Sequence, residues 1–362
     1  MKSYEIIRLE DVEMNPFTLS FGVLPQQFVS RDEIIDLIET DFNNEFSESN
    51  IYIFTGLRGV GKTVMLNRVR KDFIEDNNWI VININPELNV LEELASKLFE
   101  KGKMNKYFLK KSFSFSFKGI SFEIEGSVPI SNIETLIEKM LTIIKEKKKK
   151  VLITIDEISN NQNIKAFCQT FKNLIMDEYP IYLLGTGLYE NIYDLENEKT
   201  LTFLYRAKKI EIKALNMTSI ARVYKKVLGL EEEVSLKAAS LTKGYASAFQ
   251  ILGSILYRQE KKEIDDEVLI EFDRILEDIN YGKLWSELSM KEKEFLYGFN
   301  SNKENRAIDI ISRSSFKQNC FSKYRERLLR KGIIETKTYG YLNFTLPRFF
   351  EFISNMKKLE TI

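Results

Sequence analysis

The 362-residue chain contains no histidine. That absence removes imidazole-based nucleophile activation, His–carboxylate dyads and every metal site that needs an imidazole. Its two cysteines, Cys168 and Cys320, are too far apart for any metal-ligand spacing. Each reads as a small apolar residue. No apolar run approaches the ~20 residues that cross a bilayer. The opening MKSYEIIRLEDVE carries acids where a secretion signal needs an apolar core. A cytoplasmic protein without membrane contact is therefore expected. There is no excess of either charge, with 53 Lys+Arg against 53 Asp+Glu, and hydrophobic residues make up 44%. That is the balance of a globular chain, long enough for two or three domains. With imidazole excluded, what remains is carboxylate, lysine, arginine and magnesium chemistry, the repertoire of phosphoryl transfer.

One stretch uses that repertoire directly. IFTGLRGVGKTVML, residues 53–66, reads as a strand, a glycine-rich turn and a helix. The spacing G-x-x-x-x-G-K-T, Gly56 to Thr63, is that of a loop whose backbone amides wrap a phosphate chain. Gly56, Leu57, Arg58, Gly59, Val60, Gly61, Lys62, Thr63 and Val64 are the expected ATP contacts. Lys62 reaches the β- and γ-phosphates. Thr63 ligates Mg2+, and the helix behind it turns its positive end to the anion.

Strand-like runs follow at WIVININ, VLITI, IYLLG and KIEIKAL, with helical patterns at 62–76, 88–102, 131–148 and 161–178. The helix RDEIIDLIETDF precedes the first strand. Strands alternating with helices predict a parallel sheet covered on both faces, an α/β P-loop NTPase core. The segment KKSFSFSFKGISFEIEG interrupts the rhythm with strict alternation, a β-hairpin over 111–126 turning at Lys118-Gly119. It serves either as a protein contact or as edge strands packed on the body. After residue 215 only helical periodicities appear, giving a helical lid. From residue 281 three helical patterns lead into IIETKTYGYLNFTL, a hairpin turning at Tyr339-Gly340, and predict a winged helix-turn-helix. The expected organisation is an extended segment at 1–30, the ATPase core at 31–215, the lid at 216–280 and the winged helix at 281–362.

Candidate catalytic residues lie at strand ends. VLITIDEIS ends a buried strand at Asp156, the acidic partner of Thr63 at the metal. Glu157 beside it orients or deprotonates the attacking water. Thr186, at the tip of IYLLGTG, either faces the γ-phosphate or caps the next helix. Arg206, ahead of KKIEIKAL, is either an arginine finger for a neighbouring subunit of a homo-oligomer or a surface cation.

Charge is unevenly spread. Residues 281–362 hold 16 Lys+Arg against 9 Asp+Glu, and residues 311–348 alone hold nine against two. Lys317, Lys323, Arg325, Arg327, Arg330 and Lys331 cluster on or beside the third helix, with Lys337 in the wing and Arg348 after it. Duplex DNA held through its phosphates is one reading of this surface, and a solvated or protein-binding face is the other.

Taken together these motifs resemble the AAA+ ATPases of the origin-recognition initiator type. They resemble more closely a group of bacterial ATP-binding proteins of that architecture. NPFTLSFGVLPQQFVSRDE resembles the group's N-terminal signature, LRGVGKTVML its phosphate loop, and LLRKGIIETKTYGYLNFTLPRFFEFI its C-terminal signature. The resemblance implies an AAA+ ATP-binding protein, in which nucleotide state governs what the winged helix binds. It also implies a place near the adenine for Arg31 and Asp32, and a finger role for Arg206. Two departures stand out. Ser30 replaces a glycine before Arg31. In the lid, TKGYASAFQILG has no arginine at the turn where such proteins offer one to the γ-phosphate, which leaves Gln250 or Arg258 to substitute and weakens the case for fast hydrolysis. A slow nucleotide-gated switch that recruits a protein partner is the alternative function.

Overall fold

The computed structural model describes residues 15–20, 22–111, 113–117, 120–123, 125, 128–302, 304–314, 316 and 318–360. The chain begins with α1 (Asp32–Asn43), β1 (Ile51–Thr55), α2 (Lys62–Glu75), β2 (Trp79–Ile84), α3 (Val90–Lys101) and α4 (Asn105–Lys111). An insert follows, made of β3 (Phe113–Phe117), β4 (Ile120–Phe122) and β5 (Val128–Ile130). The core resumes with α5 (Ile133–Glu146), β6 (Lys150–Ile158), α6 (Gln162–Met176), β7 (Ile181–Gly187), α7 (Tyr189–Glu196), a 3-10 turn at Thr202–Arg206 and β8 (Lys208–Glu211).

The central sheet has the order β2-β6-β7-β1-β8, and all its pairings are parallel. Strands β1 and β7 are buried along their whole length, as strands covered on both faces must be. The phosphate-loop stretch leaves the carboxyl end of β1, between β7 and β8, which is where open α/β sheets bind ligands.

The two faces of the sheet carry different cores. On one, Leu94, Ile137, Phe167 and Phe171 pack under α3, α5 and α6. On the other, Phe42, Val69 and Phe73 begin a cluster that continues through Tyr224 and Phe249 to Trp285, Phe295 and Phe344. One apolar core thus joins the ATPase sheet to the two units that follow it.

The insert belongs to the first face. Its sheet order is β4-β3-β5, with β3 antiparallel to β4 and parallel to β5. Phe115 is buried, with its ring 5.2 Å from Phe99 and 5.6 Å from Phe108. The alternating phenylalanines therefore seat the insert on α3 and α4. The turn expected at Lys118-Gly119 and Ile124 lie outside the described residues.

The lid is four helices, α8 (Met217–Leu228), α9 (Glu232–Thr242), α10 (Ala246–Arg258) and α11 (Asp266–Leu276), and a π-helical turn at Glu277–Tyr281 ends it. The C-terminal unit comprises α12 (Gly282–Ser286), α13 (Met290–Leu296), β9 (Asn305–Arg306), α14 (Ala307–Arg313), α15 (Gln318–Arg330), β10 (Ile334–Glu335), β11 (Tyr341–Phe344) and α16 (Phe349–Glu360). Helices α13 to α15 and the β10–β11 wing, with β9 as its third strand, form the winged-helix arrangement. The expected wing turn is present, with Gly340 at φ +81°. The short α12, the strand β9 and the closing helix α16 were not anticipated. This unit is bonded to the lid. Lys243 Nζ donates to the Phe344 carbonyl at 2.9 Å, and Arg348 pairs with Asp273 on α11.

Candidate active site

The loop between β1 and α2 has the backbone its glycines predict. Gly61 caps α2 in the left-handed region, at φ 96° and ψ 24°, where only glycine is unstrained. Gly59 is needed for close approach, because a Cβ there would strike the Tyr245 hydroxyl and lie 2.6 Å from Asn280 Oδ1. Lys62 folds back over the loop and donates to the Gly56 carbonyl at 2.9 Å and the Leu57 carbonyl at 2.8 Å. It makes no ion pair among the described residues. Burial, reinforced by the Arg58 guanidinium, lowers its pKa to about 8 against the pull of Asp156 and Glu157. An ammonium held this way, bonded only to neutral carbonyls, lacks an anionic partner.

Thr63 Oγ1 donates to Asp156 at 2.9 Å. A hydroxyl beside a carboxylate at the start of a helix suits Mg2+, which keeps waters and substrate oxygens in most of its positions. The carboxylates themselves are aimed by a bulge. Register between β6 and β7 slips between Ile155 and Ile158, so three residues of β6 advance against two of β7. Asp156 and Glu157 are the residues in the slip. Glu157 adopts φ +55°, a left-handed conformation that costs a non-glycine residue about 1–3 kcal/mol. Such strain is kept where it re-aims a side chain, and the Glu157 carboxylate is turned out into the cavity.

That cavity, about 270 Å3, lies between the loop, the lid and the segment before α1. Arg31, Arg58, Gly59, Gly61, Lys62, Thr63 and Val64 line it. Leu57 and Val60 do not: Leu57 packs towards Gly332, and Val60 is buried with its carbonyl accepting from Arg31 Nη2 at 3.2 Å. Gly56 lies beneath the loop against Ile212. Arg31 also donates to the Lys213 carbonyl at 2.8 Å, and burial lowers its pKa to about 10. It thus ties the loop to the end of β8. Asp32 instead pairs locally with the Ser30 hydroxyl.

Thr186 is placed differently from either expectation. Its side chain is fully buried, accepts from the Glu157 amide at 2.9 Å and donates to Asp156. It neither lines the cavity nor caps α7, whose N-cap is Leu188. Its effect is to hold the bulge that aims the two carboxylates. Both lid substitutes have partners, although Gln250 lines the cavity. Gln250 accepts from the Thr18 amide at 2.9 Å and donates to the Gln27 carbonyl at 2.8 Å, pinning the segment before α1. Arg258 pairs with Glu271 at 2.6 Å. Arg206 is exposed and makes no ion pair among the described residues. Register pairs Lys208 with Tyr52, so Arg206 lies by the amino end of β1, at the end of the sheet away from its own loop.

Three lid-side residues were missed. Tyr245 is buried and its hydroxyl donates to the Arg58 carbonyl at 2.6 Å. The Ser247 amide donates to the Gly59 carbonyl at 3.0 Å. Asn280, in the π-helical turn, donates to Ser247 Oγ at 2.7 Å. The available signal was Gly59, since a glycine beyond the motif's two fixed ones implies a close neighbour.

The basic C-terminal cations divide into groups. Lys323 and Arg327 on α15 are exposed. Arg325 is half-buried, with Nε unbonded among the described residues. Arg330 pairs with Glu326 on its own helix and lies 5.3 Å from the Tyr193 ring of α7. Lys331 is 13% exposed and pairs with Glu292 at 3.0 Å and Glu190 at 3.6 Å. The expectation that Lys331 presents a DNA-facing charge is corrected by this packing, while Arg330 stays exposed beside α7. Lys337 pairs with its wing neighbour Glu335 at 2.8 Å, and Arg348 is committed to the lid. Lys317 lies outside the described residues.

The fold is that of P-loop AAA+ proteins, a parallel five-stranded sheet with a helical lid, and the C-terminal unit is consistent with a winged helix. The solved structures that the chain resembles agree. A Walker-type ATPase of Pyrococcus abyssi superposes with a TM-score of 0.63 at 14% identity, covering 90% of this chain and 96% of that one. The Aeropyrum pernix ORC2 protein in ADPNP–ADP complexes gives 0.56 at 13% identity, covering 94% and 97%. Its ADP form gives 0.50 at 12% identity with the same coverage. Residues 280–353 match a family described as a domain of unknown function (DUF8462). No curated protein matches the chain. At these identities the likeness establishes the fold. No helix among the described residues is long and apolar enough to cross a membrane.

Proposed function

We propose that the chain binds ATP with Mg2+ between loop and lid, hydrolyses it slowly, and uses nucleotide state to govern the winged helix. The observation that carries this reading is Lys62, a buried ammonium bonded only to loop carbonyls beside the Thr63–Asp156 pair. Lys62 and the loop amides hold the phosphates. Thr63 and Asp156 hold the metal, which supplies charge neutralisation at the phosphates. Glu157 accepts the proton of the attacking water. Slow turnover is supported by the lid, which lends the cavity Ala246, Ser247, Phe249, Gln250, Ile279 and Asn280 but no described cation. A neighbouring copy supplies the missing charge through Arg206, which lies too far from its own loop to do so. The likeness to nucleotide complexes of an origin-recognition protein favours the same ligand class.

The test is phosphate release from ATP over a range of protein concentrations. Specific activity should rise with concentration in the wild type. Arg206→Ala should lower it at least tenfold and remove the rise, with ATP affinity unchanged. Strictly linear activity from a monomer eliminates the finger. For the winged helix, duplex DNA remains a second reading, supported by the exposed Lys323 and Arg327. The pairing of Arg330, Lys331 and Lys337 favours a protein partner.

A further inference from the structure

The Arg58 guanidinium is shared between two units. Nη1 lies 3.4 Å from Glu157 Oε1, and Nη2 lies 3.3 Å from Glu287 Oε1. Glu157 is the proposed base, and Glu287 follows α12 in the C-terminal unit. Arg58 lines the cavity with Lys62 and Glu157. Its neighbour Leu57 meets Gly332 ahead of the wing, where a Cβ would lie 3.3 Å from Leu57 Cγ. Two adjacent loop residues thus carry the contact with the winged-helix unit, and one of them also holds Glu157.

Neither ion pair is deep. The side chains of Arg58, Glu157 and Glu287 are 33%, 59% and 34% exposed, and pairs of that exposure are weak. A terminal phosphate is a stronger partner for a guanidinium, since it carries more charge than a carboxylate and accepts both parallel N–H bonds.

We propose that Arg58 distinguishes nucleoside triphosphates from diphosphates and links that choice to the winged helix. The proposal rests on the ATP reading above. Arg58 exchanges its two carboxylates for oxygens of the terminal phosphate. Glu157 then loses the guanidinium that holds its carboxylate. Glu287 loses its partner on the loop and, among the described residues, keeps only Lys283, 3.6 Å away on its own side. A diphosphate has no terminal group to offer, so the bridge persists. One exchange would therefore release the Glu157 carboxylate and free the contact between α12 and the loop.

Glu287→Gln tests this, because it removes the charge, keeps the shape and lies outside the nucleotide machinery. The full chain is titrated with Mg2+-ADP and a Mg2+-bound non-hydrolysable ATP analogue, and amide hydrogen exchange is followed over residues 283–296 and 328–333. In the wild type the analogue, but not ADP, should speed exchange there. In Glu287→Gln, affinity for the analogue should rise about twofold to fivefold, the weight of one exposed pair. ADP affinity should stay unchanged, and exchange should be fast before nucleotide is added. Glu287→Lys, which repels Arg58, should exceed Glu287→Gln on each measure. Equal triphosphate-to-diphosphate affinity ratios in all three proteins, with the wild type binding both nucleotides, overturn the bridge and leave the ATP reading standing. A wild type that binds neither nucleotide overturns both.

Discussion

The phosphate loop and the end of α15 both gather positive charge, and the fold treats the two in opposite ways. Lys62 is buried against neutral carbonyls, and Asp156, the carboxylate that acts on it most strongly, is engaged by Thr63 and Thr186. Lys331 is also largely covered, at 13% exposure, yet two glutamates neutralise it. A buried cation left without an anion is destabilising unless an anion arrives, which is what the proposed phosphate ligand would supply. A buried cation with carboxylates on both sides is already satisfied, so the junction of α15 with the core is built around itself. Positive charge in a sequence is thus a weak guide to binding until its partners are known. The bulge at Asp156–Glu157 makes the same distinction, since strain at Glu157 is kept where a ligand is expected.

Breaking the first half of that contrast should have the largest effect. Glu157→Gln keeps the shape of the side chain and removes the base. Single-turnover phosphate release should fall about 10²- to 10⁴-fold, with ATP affinity unchanged. An unaltered rate would assign the water to another residue.

The second half predicts a stability effect without a binding effect. Lys331→Ala leaves Glu292, 4% exposed on its side chain, without its cation. Burial raises the Glu292 pKa, and the Ser289 and Lys331 bonds more than reverse that, holding the carboxyl below its ordinary range. Loss of the pair should destabilise the chain by about 3 kcal/mol in denaturant unfolding. Lys323→Ala, on the exposed side of the same helix, should change stability by less than about 0.5 kcal/mol. Equal losses would erase the distinction between the two faces.

The smallest effect concerns the cations left outside. If duplex DNA binds, each phosphate contact contributes about 0.9 to the slope of log affinity against log salt. Lys323→Ala with Arg327→Ala should flatten that slope by about 2, and Lys331→Ala should leave it alone. A slope that responds to Lys331 instead would mean that the winged helix undocks before it binds.

How far the sequence could carry this picture depended on the range of the interactions. The core strands, the phosphate loop and the lid helices were legible because each is written in a local period or a contiguous motif. Asp156 and Glu157 were legible as a pair at the end of a strand. The bulge that aims them was not, because it is a mismatch between β6 and β7. Thr186 was found by position and misread in role, since its partners sit on the neighbouring strand. The bonds of Gln250 were not legible because its partners, Thr18 and Gln27, lie more than 200 residues away. Tyr245, Ser247 and Asn280 escaped notice because no motif marks a lid that touches a loop through a π-helical turn. The cations of α15 show the same limit. Their charge is visible in the sequence, while the glutamates that cancel Lys331 come from α7 and α13.

The central claim is that the buried ammonium of Lys62 is completed by nucleotide phosphates, and calorimetric titration of Mg2+-ATP between pH 7 and pH 9.5 tests it most directly. Burial lowers the Lys62 pKa to about 8, and phosphates favour the charged form. Binding should therefore take up a proton as pH rises through 8. Wild-type affinity should be flat near pH 7 and fall towards tenfold per unit above pH 8. Lys62→Arg should stay flat across the range, because its guanidinium does not titrate there. Lys62→Ala should bind about 30- to 1000-fold more weakly at pH 7 while remaining folded. Wild-type affinity in Lys62→Ala, with the same pH profile, would contradict the account at its root.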